Sequence, residues 1–167
     1  RFVPAPVQPW EADSLYESVR AALFDADGDG DADLYVVSQN SQPGIVEDSI
    51  QDRLYINDGK GNFTRAQVFL PRTTENRSCV AIADYDRDGK PDVFIGGRSI
   101  PGKYGVPPES FLLHNLSGGG GIQFSDATDK DAPGIRHVGM VTDACWADVN
   151  KDGWPDLVVV GDWMHVT

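Results

Sequence analysis

The 167-residue chain holds two cysteines, two methionines and three histidines, too few for a disulfide framework or a thiolate and imidazole metal cage. Glutamate is also scarce: the 26 acidic residues divide into 21 Asp and 5 Glu. A helical acidic protein would use Glu on its exposed faces, whereas Asp favours turns, caps and metal loops. No apolar run approaches the roughly 20 residues of a membrane helix, so no direct membrane insertion is expected. Lys and Arg number only 14, leaving a net charge of −12 and a pI near 4.4, which repels nucleic acid and anionic lipid as partners. The chain opens at Arg1 with no signal-like segment, as a mature product or a piece of a longer protein would. Glycine and proline are plentiful, at 18 and 11, and 40% of residues are apolar. That is the composition of a turn-rich chain able to bury one core.

Self-similarity organises the sequence. Three segments superpose: Ala22–Val37, Ala81–Ile95 and Cys145–Val159, each a short apolar run, an acidic nine-residue loop and a second apolar run. Downstream, Asp52–Asn57 matches Ser110–Asn115, and Asn62-Phe63-Thr64 matches Gln123-Phe124-Ser125. The runs are β-branched and aromatic, bounded by Gly, Asp, Asn and Pro, which is a strand pattern.

Four short strands in about sixty residues predict one antiparallel sheet per repeat. The second strand (Leu34–Val37, Val93–Ile95, Leu157–Val160) is apolar on both faces and is expected between neighbouring sheets. The first strand carries small residues such as Ala22, Ala81 and Ala147, as crowding about an axis requires. The predicted fold is all-β, a partial β-propeller of four-stranded blades over 1–167, with blades at 18–66, 77–127 and an incomplete one at 140–167. The remaining blades would come from the same protein or an assembly partner.

The loops read Asp25-x-Asp27-x-Asp29-Gly30-Asp31-x-Asp33, Asp84-x-Asp86-x-Asp88-Gly89-Lys90-x-Asp92 and Asp148-x-Asn150-x-Asp152-Gly153-Trp154-x-Asp156. Oxygens at positions 1, 3, 5 and 9, with the position 7 carbonyl of Asp31, Lys90 or Trp154, can converge on one cation when Gly at position 6 allows the turn. Hard oxygen donors at this density suit Ca²⁺, and three structural sites are predicted. The loops hold five, four and three carboxylates in turn, so the third is expected to bind most weakly. An EF-hand is excluded, because position 12 is Val36, Ile95 or Val159, inside a strand, where that motif needs a bidentate Glu.

These loops, with Asn57-Asp58-Gly59-Lys60-Gly61-Asn62-Phe63-Thr64, resemble FG-GAP or VCBS repeats, the blades of integrin α-subunit propellers. Phe24–Ser38, Gln51–Thr64 and the ending Leu157–Met164 are similar to secreted bacterial proteins related to cartilage acidic protein, which often carry an ASPIC/UnbV domain. The resemblance covers nearly all of the chain beyond residue 17. It implies a calcium-stabilised interaction propeller that is extracellular, secreted or at the cell surface.

Alternating strand direction places the acidic loops on one rim and the long connections on the other. These are Ser38–Gln51, Ala66–Asn76, Gly97–Glu109 and Ala127–Gly139, holding Ile45, Ile50, Phe69, Leu70, Tyr104 and Val106. A protein or glycan ligand is expected there. No catalytic constellation is read: His114, His137 and His165 stand in unrelated contexts, with no metalloprotease helix or nucleophile elbow. The expected function is a non-catalytic calcium-binding interaction module. The alternatives are a propeller platform of a carbohydrate-active enzyme, such as a polysaccharide lyase, or a lectin. For these, Trp10, Tyr104 and Trp163 are the large aromatics available. Cys79 and Cys145 fall at odd offsets before their loops, so they face the same way in successive blades and are expected to be unpaired.

Overall fold

The computed structural model describes residues 7–39, 50–119 and 121–167. Strands β1 (Glu17–Phe24), β2 (Asp33–Gln39), β3 (Arg53–Asn57) and β4 (Phe63–Arg65) form one antiparallel sheet in sequence order. Strands β5 (Asn76–Ala83), β6 (Asp92–Ser99), β7 (Phe111–Asn115) and β8 (Phe124–Asp126) repeat it. A single-turn helix α1 (Thr128–Asp131) follows, and then β9 (Met140–Ala147) and β10 (Asp156–Asp162) pair as a third, two-stranded sheet. The register repeats with the motif: Leu34 faces Tyr55 as Val93 faces Leu113. The chain is thus all-β, with four-stranded sheets arranged as the blades of a partial propeller.

Adjacent sheets stack through their inner strands. β5 lies against β1 and β2, and β9 lies against β5 and β6. Arg20 on β1 reaches Asp143 on β9 at 3.7 Å, so the first strands of all three sheets converge. Small residues allow this approach. A side chain at Gly96 would sit 2.6 Å from Cys79 Sγ and 2.7 Å from Val141. Ser78 Oγ donates to the Val141 carbonyl at 2.7 Å, tying β5 to β9.

The core occupies the two seams between sheets. Tyr35, Val37 and Leu54 of the first sheet meet Val80, Val93, Ile95 and Leu113 of the second. On the other face of the second sheet, Cys79, Ala81, Phe94 and Leu112 meet Val141 and Val159. Both cysteines are free, Cys79 buried in this seam and Cys145 exposed on the far side of the third sheet.

The first seam also encloses an ion pair with no local signal in the sequence. Arg77 donates to Asp52 and, at 2.9 Å, to the Pro71 carbonyl; both charged side chains are almost wholly buried. The Ser38 amide and the Tyr35 hydroxyl also donate to Asp52, at 3.1 and 3.0 Å. Burial raises the Asp52 carboxyl, against the opposing pull of Arg77. In the second sheet Ser110 stands where Asp52 does, and its hydroxyl accepts from the Gly97 amide at 3.0 Å.

Residues before β1 cover the outer face of the first sheet. A 3₁₀ turn at Pro9–Glu11 brings Trp10 edge-on to Tyr55 and against Phe63. Asp13 accepts from Tyr55 Oη and, at 2.9 Å, from Arg65.

Candidate functional site

All acidic loops lie at one rim, between the first and second strands of their sheets. The turn from β3 to β4 shares that rim, and a side chain on Gly59 would meet Asp31 Oδ2 at 2.3 Å. The loops fold alike. The Gly amide at position 6 donates to position 1 (Asp25, Asp84, Asp148) at 2.9 Å in each. The amides of Asp31, Lys90 and Trp154 donate to Asp29, Asp88 and Asp152 at 2.9, 2.9 and 2.8 Å. The position 5 amide donates to Asp27, Asp86 or Asn150 at 3.2, 3.1 or 2.8 Å. Position 4 is left-handed throughout, as Gly28 (φ 83°), Arg87 (62°) and Lys151 (64°). The two non-glycine residues there carry about 1 kcal/mol or more of backbone strain each.

The position 9 residues do more than close a cage. Asp33 is fully buried; it accepts from the Ala26 and Asn57 amides, both at 2.8 Å. Asp92 repeats this with Tyr85 at 3.1 Å and Asn115 at 2.8 Å. Asp156 accepts from Val149 at 2.9 Å. One carboxylate therefore joins the loop to the third strand in each complete blade. Burial pushes the Asp92 carboxyl up to about 6, against the pull of the Asn115 and Tyr85 amides. Asp33 moves the same way for the same reason.

The loops differ in how their carboxylates are compensated. Asp25, Asp27 and Asp29 come together in the first loop, and Asp84, Asp86 and Asp92 in the second, with oxygens within 4.8 Å of one another. Burial and its two carboxylate neighbours raise Asp27. In the second loop Asp84 Oδ1 is buried and receives no donor among the described residues, whereas the equivalent oxygens of Asp25 and Asp148 accept amides. In the third, Asn150 Nδ2 donates to Asp152 Oδ2 at 3.0 Å, and in the second Lys90 Nζ lies 3.4 Å from Asp88 Oδ2, so an amide in one loop and an ammonium in the other offset part of the carboxylate repulsion. An orphaned hard oxygen among crowded carboxylates is the donor chemistry that a hard divalent cation satisfies.

Sequence reasoning did not connect His114 to a loop. Its Nε2 lies 3.0 Å from Asp86 Oδ2 and 3.7 Å from Asp88 Oδ2. The first blade has Ile56 in its place, so this neighbour is peculiar to the second loop. The loops also touch one another. Arg87 sits 4.1 Å over the Trp154 ring, and Asn115 Nδ2 donates to the carbonyls of Ala26 and Pro91 at 3.2 and 3.0 Å.

Of the long-loop residues, Ile50 is buried while Phe69, Tyr104 and Val106 are exposed; Ile45 lies outside the described residues. Sheet order and loop geometry together define a bladed protein with a repeated acidic turn. The family model of the FG-GAP-like repeat matches residues 25–95, from the first loop into the first half of β6. No curated protein matches the chain.

Proposed function

We propose that this chain is an extracellular calcium-binding propeller module that serves interaction rather than catalysis. The observation carrying the reading is the common fold of the three loops, with Asp84 Oδ1 of the second left without a donor among the described residues. Asp25, Asp27, Asp29 and Asp33 would hold one ion; Asp84, Asp86, Asp88 and Asp92 a second; Asp148, Asn150, Asp152 and Asp156 a third. The backbone carbonyls of Asp31, Lys90 and Trp154 would complete them. A bound cation neutralises carboxylates that otherwise repel, and it stiffens the rim that joins the strands. The opposite rim, with its longer loops, is then free to bind a protein or glycan. Isothermal titration of chelator-treated protein with CaCl₂ tests the metal reading: saturable binding near three ions per chain supports it, and no heat at millimolar calcium overturns it.

A further inference from the structure

Two exposed aromatic rings meet on the long-loop rim, contributed by different blades. Tyr104 comes from the connection after β6 and Trp163 from the turn after β10; they are 64% and 77% exposed. Their centroids lie 5.3 Å apart at an interplanar angle of 75°, so one ring edge braces the other. Both are held in place. The Tyr104 loop is tightened by the Lys103 amide on the Ile100 carbonyl and the Val106 amide on the Lys103 carbonyl, at 3.0 and 3.2 Å. Gly105 leaves room for the indole, since a side chain there would stand 2.6 Å from it. Met164 turns inward and packs against the second seam. Trp163 turns outward at φ 56°, a conformation a bulky residue rarely adopts.

Beside the rings stands a fixed polar group. Asp162 accepts from Arg98 Nη2 at 2.7 Å and Tyr104 Oη at 3.2 Å, both on Oδ2. Among the described residues no donor reaches Oδ1, and the side chain is 40% exposed. An open ring face next to an oriented carboxylate oxygen matches a pyranose, which offers C–H groups on one side and hydroxyl donors around its edge. The exposed apolar surface here, essentially Tyr104, Val106 and Trp163, falls short of the 1,200–2,000 Å² or so of a stable protein interface. A uronate or sulfated sugar would meet the Asp162 carboxylate on a chain of net charge −12.

We infer that Tyr104, Trp163 and Asp162 form a binding site for neutral pyranose oligosaccharides. The inference rests on the reading of this rim as the interaction surface. It is tested by probing a printed array of neutral and acidic oligosaccharides with the full chain in calcium, then titrating a bound oligosaccharide against Trp163→Ala and Asp162→Ala. Neutral spots should bind, each variant should weaken affinity by about tenfold or more, and both variants should melt with the wild type. A blank array, binding confined to acidic glycans, or binding unchanged in Trp163→Ala overturns the inference. If calcium still raises the melting temperature in those cases, only the glycan site is lost and the calcium module stands.

Discussion

In β6, Val93 and Ile95 face the first sheet and Phe94 faces the third, and all three are fully buried. The matching strand β10 turns Leu157 and Val159 onto the second sheet, but only Val159 is buried, and Val160 is 37% exposed on the other face. The residue types are nearly the same, so burial here belongs to the neighbour rather than to the strand. A strand that is apolar on both faces is a requirement for two partners.

That comparison can be broken by paired truncations. Phe94→Ala should destabilise by about 3–5 kcal/mol, whereas Val158→Ala, at the equivalent but only partly buried position, should remain under about 1 kcal/mol. Urea midpoints decide it, and losses of similar size would dissolve the distinction. The two seams differ as well: the ion pair of the first, Arg77–Asp52, is almost wholly buried, whereas Arg98–Asp162, which joins the second and third sheets, is partly exposed. Arg77→Met leaves Asp52 buried without its cation and should cost about 3–5 kcal/mol. Adding Asp52→Leu should recover much of that loss, and no recovery would show that packing, not charge, was removed.

Calcium sharpens the contrast between loops. At a hundred times a site's dissociation constant, bound ion adds about 2.7 kcal/mol of stability, so chelation should lower the melting temperature markedly. Asp86→Ala should abolish one site's share. Asp148→Ala should matter less, because Asn150 already compensates its loop. Equal effects of the two variants would contradict the ranking by charge. The smallest effect concerns the thiols. In the native protein Cys145 should react with a thiol reagent while Cys79 stays silent, since burial shields it and raises its pKa. Two thiols should titrate after denaturation without reductant, and none, in a monomer, would mean they had paired.

The sheets and loops were legible because their causes are local. Short β-branched and aromatic runs bounded by turn residues, Gly at position 6 and repetition of the same nine residues specify strands and turns without reference to anything distant. The double-sided apolarity of Val93–Ile95 even foretold the seams. What could not be read depends on side chains that meet across blades. Nothing in the spacing of Asp52 and Arg77 marks them as partners. Asn57 and Asn115 align in the repeat, yet only the folded sheet shows their amides on Asp33 and Asp92. The packing of Trp10 and Asp13 over the first sheet had no repeat to announce it, and His114 reaches Asp86 only once β7 lies beside β6.

Because each core lies between sheets, no blade owns one. Tyr35 and Leu54 share their buried cluster with residues of the next sheet, such as Val93, Ile95 and Leu113, that lie far along the chain. Cooperative folding therefore has the seam as its unit, and stability adds from neighbour to neighbour as in a one-dimensional array. During synthesis the first sheet must wait for the second before its inner face leaves water. A protease cut between β4 and β5 would be tolerated only while the severed halves of the first seam stayed clasped.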